Sequence, residues 1–214
     1  MVIYLSTMKQ LILTSSSNVV VNHWIKQLDR GPKKLSLAFI TTAAECYSGE
    51  KPWIEADKNA LITAGFKLID YTIIGKTLVK LKQDLANVDL IFVAGGNTFY
   101  LLDQAYRSGF FQLLQSEKWQ DKVYVGSSAG SLLVCPDINV TKYIDDPTVA
   151  PNLKSTQGAG LVPFVVLPHW GATEFQKEYQ QLFNAGYDIP FPLVMLRDNQ
   201  YLLVENNSTQ FFQQ

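Results

Sequence analysis

The stretch Val123-Tyr-Val-Gly-Ser-Ser-Ala-Gly-Ser131 narrows the possible folds more than any other part of the chain. Its first residues suit a short buried strand, and Ser131 to Cys135 can open a helix. Between them Gly126, Ser128 and Gly130 follow the spacing G-x-S-x-G. A serine on a strained strand-to-helix turn needs neighbours without bulk two residues before and two after, so that the backbones can approach. That register selects Ser128 and turns the Ser127 side chain elsewhere. The same pattern also makes a plain Gly/Ser turn, so a chemical role for Ser128 depends on partners elsewhere in the chain.

The other apolar runs fit one architecture. Gln10–Thr14, Leu35–Ile40, Phe66–Ile74, Asp89–Ala94, Val162–Leu167 and Pro192–Leu196 read as strands. Helical spacing lies between them. It covers Val19–Asp29 (Val21, Trp24, Ile25, Leu28), the span from Pro52 to Gly65 (Ile54, Leu61, Ala64), and Thr77–Leu85. It recurs on Phe99, Leu102 and Tyr106 before Gly109, over Phe110–Glu117, and over Thr173–Ala185 (Phe175, Tyr179, Leu182, Phe183). Strands that are apolar throughout, rather than alternating, are covered on both faces. The pattern therefore predicts a three-layer α/β fold, a mostly parallel sheet flanked by helices. Arg197-Asp-Asn-Gln200 is a turn, and it predicts a C-terminal β-hairpin from Pro192–Leu196 to Tyr201–Glu205. One domain spans 1–214, with 1–7 as a short extension.

Composition excludes several classes. A net charge of −1 gives no electrostatic case for nucleic acid. No apolar run is long enough to cross a membrane, and the N-terminus lacks the pattern of a secretory signal. Cys46 and Cys135 have no metal or redox spacing, and a reduced, cytoplasmic chain is the simplest reading; Cys135 reads as a core residue.

A serine nucleophile needs a base, and the chain has two histidines. His23 sits within an amphipathic helix, off its apolar stripe. His169 ends an apolar strand, in Leu167-Pro-His-Trp170, where sites gather at the carboxyl ends of parallel strands. It is either the base or a satisfied rim histidine. A third group must hold the imidazole tautomer. Glu174, Glu178, Asp188, Asp198 and Glu205 follow His169, and Asp198 directly succeeds a strand; it either fixes the imidazole or makes its turn. The Ala129 N–H is one natural oxyanion donor. Gly95-Gly-Asn97 follows a neighbouring strand and offers a second, or else a tight turn with Asn97 as helix cap. No phosphate-binding glycine pattern accompanies it.

These residues carry a resemblance. Val93-Ala-Gly-Gly-Asn-Thr-Phe-Tyr-Leu-Leu102, then Gly126-Ser-Ser-Ala-Gly130, then Leu167-Pro-His169 are similar in order and spacing to the peptidase E (aspartyl dipeptidase) family of serine peptidases. The resemblance covers most of the chain and implies a fold like that of class I glutamine amidotransferases. It implies Ser128 as nucleophile, His169 as base, and Gly96 as an oxyanion donor. It places Asp198 where the family has a glutamate, one methylene longer. It also implies a substrate-binding aspartate in the loop after the nucleophile, for which Asp145 is the candidate; Asn97 is a further one. Preference for an N-terminal aspartate implies a basic residue after the histidine, yet Trp170–Lys177 contains no arginine, so that preference does not carry over.

The expected function is hydrolysis of short peptides by a Ser128–His169–Asp198 triad, without metal or organic cofactor. The chain would act as monomer or homodimer, with loops 41–51, 136–157 and 170–175 walling the cleft. An esterase or amidase with the same triad and a catalytically silent ligand-binding relative are the alternatives.

Overall fold

The apolar runs pair into one seven-stranded sheet plus a separate two-stranded one. The computed structural model describes residues 10–185, 189–206 and 208–214, so the expected extension 1–7 and Asp188 lie outside the described residues. In chain order the elements begin with β1 (Gln10–Thr14), α1 (Ser17–Trp24), β2 (Ser36–Ile40), α2 (Pro52–Ala64) and β3 (Lys67–Tyr71). There follow α3 (Leu78–Asp84), β4 (Leu90–Val93), α4 (Thr98–Ser108), α5 (Phe110–Leu114), β5 (Val123–Ser127) and α6 (Ala129–Leu133). The chain closes with β6 (Val165–Leu167), α7 (Gln176–Ala185), β7 (Leu193–Met195), β8 (Gln200–Glu205) and β9 (Ser208–Gln213).

The large sheet has the order β3-β2-β4-β5-β1-β8-β9. Its first five strands are parallel, while β8 runs antiparallel to both β1 and β9. Successive residues divide between two cores. Leu11, Leu13, Ile91 and Val93 join the core on one face, and Ile12, Leu90 and Phe92 that on the other. Both faces are thus covered, which is why β4 is apolar throughout and β1 is apolar at every position but its two ends, Gln10 and Thr14. Turn chemistry ends the helices where the sequence indicates. Pro52 opens α2 and Gly65, at φ 102°, closes it; Thr77 caps α3 by accepting the Lys80 N–H at 3.3 Å.

Three details differ from expectation. The first helix is shorter, continuing after Trp24 only as a 3-10 turn over Ile25–Gln27. Tyr106 is not inward; Leu101, Leu102 and Ala105 fill that face, and the Tyr106 hydroxyl donates to the Gln157 carbonyl at 2.8 Å. The hairpin forms between β8 and β9, not across Arg197–Gln200. Tyr201 to Val204 is buried throughout and needs a partner on each edge, which β1 and β9 supply. Pro192–Leu196 instead contributes β7, paired in parallel with β6.

Candidate active site

The serine turn follows β5, between β1 and β4. Ser128 adopts φ 51° and ψ −111°, a conformation that costs a non-glycine residue roughly 1–3 kcal/mol. Packing imposes it. A Cβ on Gly126 would lie 2.5 Å from the Ser131 nitrogen, and one on Gly130 2.0 Å from the Val93 carbonyl oxygen. Neither position accepts a side chain. The Ser128 N–H donates to the Thr14 carbonyl at 3.1 Å, and its own carbonyl accepts from Ser131 at 2.8 Å. The Ser127 hydroxyl turns towards α1, where it accepts the Ser17 N–H at 3.2 Å.

The small β6–β7 sheet brings the other two groups together. Beyond its last paired residues the Leu196 N–H donates to Leu167 and the Trp170 N–H to Leu196, both at 2.9 Å, so the two loops leave side by side. His169, at φ 60°, projects Nε2 to 2.9 Å from Ser128 Oγ. Its Nδ1 is 2.7 Å from Asp198 Oδ1. The hydrogen bond to His169 is the chief force holding the Asp198 carboxyl below its usual range, with Ser15 adding to it. Ser15, the residue after β1, ties the pair to the large sheet. Its hydroxyl accepts the His169 N–H at 2.6 Å and donates to Asp198 Oδ1 at 2.8 Å. Phe175 stacks on the imidazole, with ring centres 5.3 Å apart.

Opposite these groups lies the loop after β4. A Cβ on Gly95 would be 3.2 Å from the Ser128 Cβ, so this loop rests against Ser128. Gly96 has φ 149°, and a side chain there would meet the Ala43 carbonyl at 2.3 Å; only glycine fits. Among the described residues the N–H groups of Gly96 and Ala129 have no hydrogen-bond acceptor. They are therefore available to a substrate oxygen. The Asn97 side chain does not reach the cleft. It is fully buried, caps α4 by accepting from Tyr100 at 2.9 Å, and donates to the Asp146 carbonyl at 2.9 Å. Its expected contact with substrate is thus replaced by a capping role. Asp145 does line the cleft, while accepting the Thr98 N–H at 2.9 Å and the Thr98 hydroxyl at 2.5 Å. Burial raises its carboxyl above the usual range.

The groups surround a cleft of about 500 Å³. Tyr47, Ile144 and Phe175 represent the three loops expected to wall it. Ser15, and Trp53 and Asp57 from α2, are among the contributors that were not legible in the sequence. Ser15 carried one usable signal, its place at the carboxyl end of a strand beside the serine strand. His23 stays outside, its Nδ1 2.7 Å from the Tyr201 hydroxyl. Cys135 is fully buried. Among the described residues no His, Cys, Asp and Glu group has the form of a metal centre, and no helix is long and apolar enough to cross a membrane.

The mostly parallel sheet carries a strained serine turn at its carboxyl edge, with a histidine and an aspartate within hydrogen-bond reach, an arrangement of the kind that hydrolases use. The sequence profile of peptidase family S51 matches residues 11–212, and the chain belongs to that family. It is 31% identical over 201 residues to an uncharacterized peptidase of Pasteurella multocida (strain Pm70), covering 94% of this chain and 96% of that one. It is 32% identical over 158 residues to peptidase E of Streptomyces coelicolor, covering 70% of this chain and 61% of the relative. A crystal structure from Listeria monocytogenes EGD-e, described as a candidate peptidase E, superposes with a TM-score of 0.87 at 28% identity. That match covers 97% of this chain and 99% of the other.

Proposed function

We propose that the chain is a serine peptidase that hydrolyses short peptides through Ser128, His169 and Asp198. The observation that carries this reading is the unbroken contact from Ser128 Oγ to His169 Nε2 at 2.9 Å and from His169 Nδ1 to Asp198 at 2.7 Å. His169 takes the Ser128 proton on Nε2 as Oγ bonds to the scissile carbonyl carbon. The N–H groups of Gly96 and Ala129 stabilise the resulting oxyanion. The imidazolium then gives its proton to the leaving amine, the C–N bond breaks, and an acyl-serine remains. Water, deprotonated by His169, releases the acid and restores the serine. Asp198 keeps the Nδ1 proton in place throughout and offsets the imidazolium charge. A cleft of about 500 Å³ suits a few residues rather than a folded protein.

The test is hydrolysis of a panel of short peptides by the wild type and by Ser128→Ala and His169→Ala. Each variant is expected to lose at least ~10³-fold in kcat. Cleavage that survives Ser128→Ala would overturn the proposal.

A further inference from the structure

Helix α2 presents a pair of side chains to the cleft that the hydrolytic chemistry does not use. Trp53 and Asp57 stand one turn apart and therefore share a face. Trp53 donates its indole N–H to the Gly95 carbonyl at 3.3 Å, which fixes the ring beside the oxyanion loop. Tyr47 meets it edge-on, with ring centres 6.0 Å apart. These two rings are 41% and 40% exposed, so a broad apolar wall faces the cleft next to Ser128.

Asp57 is the reverse case, a carboxylate only 4% exposed. It accepts the Asn18 N–H at 2.8 Å, and the Ser127 hydroxyl is its second hydrogen-bond partner. It thus reaches the residue next to the nucleophile. Among the described residues that line the cleft, Asp57, Asp145, Glu174 and Asp198 are acidic and none is lysine or arginine. Lys142 instead lies over the Tyr143 ring, and Arg197 borders a separate surface groove with Gly171. A carboxylate buried without a cation is unfavourable, and burial pushes Asp57 up to about 6. An ammonium group arriving with a substrate would remove that penalty.

Resting on the peptidase reading above, we infer that the cleft takes peptides with a free, protonated amino terminus and an apolar first side chain. Asp57 receives the ammonium, and Trp53 with Tyr47 receives the side chain. Acidic first residues are disfavoured, because the cleft offers them no cation and several carboxylates.

The experiment compares Phe-Ala, N-acetyl-Phe-Ala, Asp-Ala and N-acetyl-Lys-Ala as substrates, alongside fluorophosphonate labelling of the wild type. Phe-Ala is expected to exceed N-acetyl-Phe-Ala and Asp-Ala by at least ~30-fold in kcat/KM, the worth of one or two bonds to a charged group. Asp57→Asn should shrink the ratio of free to acetylated Phe-Ala below ~5-fold, mainly through KM for the free peptide. Thermal melting shows whether that variant is folded, and Asp57→Ser serves in its place if it is not. Equal cleavage of free and acetylated Phe-Ala, or preference for Asp-Ala, overturns the inference. Efficient cleavage of N-acetyl-Lys-Ala overturns the assignment to the amino terminus, since the ammonium would then be a side chain's. Absence of labelling in the folded wild type overturns the peptidase reading itself, and this inference with it.

Discussion

Replacing Asp57 by asparagine should make the fold more stable at neutral pH, and the size of the effect follows from its burial. The carboxyl is 4% exposed, and desolvation lifts it from 3.8 to about 6 against the opposing hydrogen bonds from Ser127 and Asn18. At 1.36 kcal/mol per pKa unit, the ionised group destabilises the folded state by about 3 kcal/mol relative to the protonated one. The folded protein holds this proton more tightly than the unfolded chain does. The contribution to stability is therefore complete below 3.8, declines as pH rises, and is gone above about 6. Asparagine resembles the neutral acid and keeps an oxygen for the Asn18 N–H, with about 1 kcal/mol set against it for a poorer hydrogen-bond fit. The net gain at pH 8 is about 2 kcal/mol, or about 4–8 °C in Tm for a chain of this size. At pH 4 the gain should largely vanish. Thermal melts of both proteins at the two pH values measure it. A Tm for Asp57→Asn that is unchanged or lower at pH 8, or a gain equal at both values, would refute the reasoning. Stability won here at the expense of substrate binding is the trade expected where a site holds a charge for its ligand.

Other perturbations separate the remaining parts of the site. Asp198→Asn should lower kcat by about 10³–10⁴-fold, because the amide cannot hold the His169 tautomer; single-turnover kinetics would detect it, and a loss below tenfold would argue for another acid. The Asp198 charge itself persists across the neutral range. Its stabilising effect is present above the ordinary 3.8 and fades only as pH falls through the lower folded value. Ser15→Ala removes the hydroxyl bonded to both His169 and Asp198, yet Asp198 is half-exposed and water can replace one bond. A drop of about 3–30-fold in kcat, with KM unchanged, is expected from steady-state assays. Gly130→Ala places a methyl 2.0 Å from the Val93 carbonyl oxygen, which the sheet cannot yield. That variant should be recovered unfolded or with Tm lowered by more than about 10 °C, and wild-type melting would contradict the packing described.

What the sequence disclosed depended on how local each constraint was. Gly126, Ser128 and Gly130 were legible because the turn demands small residues at fixed spacing, and the clashes at both glycines show the demand is real. His169 stood out because only two histidines exist and one ends an apolar strand. Asp198 could be placed after a strand, but its strand's partner could not. A short apolar run does not state whether it pairs with the next strand or with one thirty residues back, and β7 chose β6. The actual hairpin turns at Asn206, whose φ of 49° suits asparagine in a tight turn. Trp53 and Asp57 were hidden for a different reason. Their helix reads as ordinary amphipathic pattern, and only its packing on α1, which sets Asn18 against Asp57, shows that this face looks into the cleft. Asn97 was the converse, a residue whose local capping role was sufficient to explain it.

Reaction with a fluorophosphonate, followed by peptide mass mapping, tests the central claim most directly. A single adduct is expected, on Ser128, formed at a rate that falls steeply in His169→Ala and is absent in Ser128→Ala. An adduct on another serine, or a folded wild type that does not react, would contradict the account.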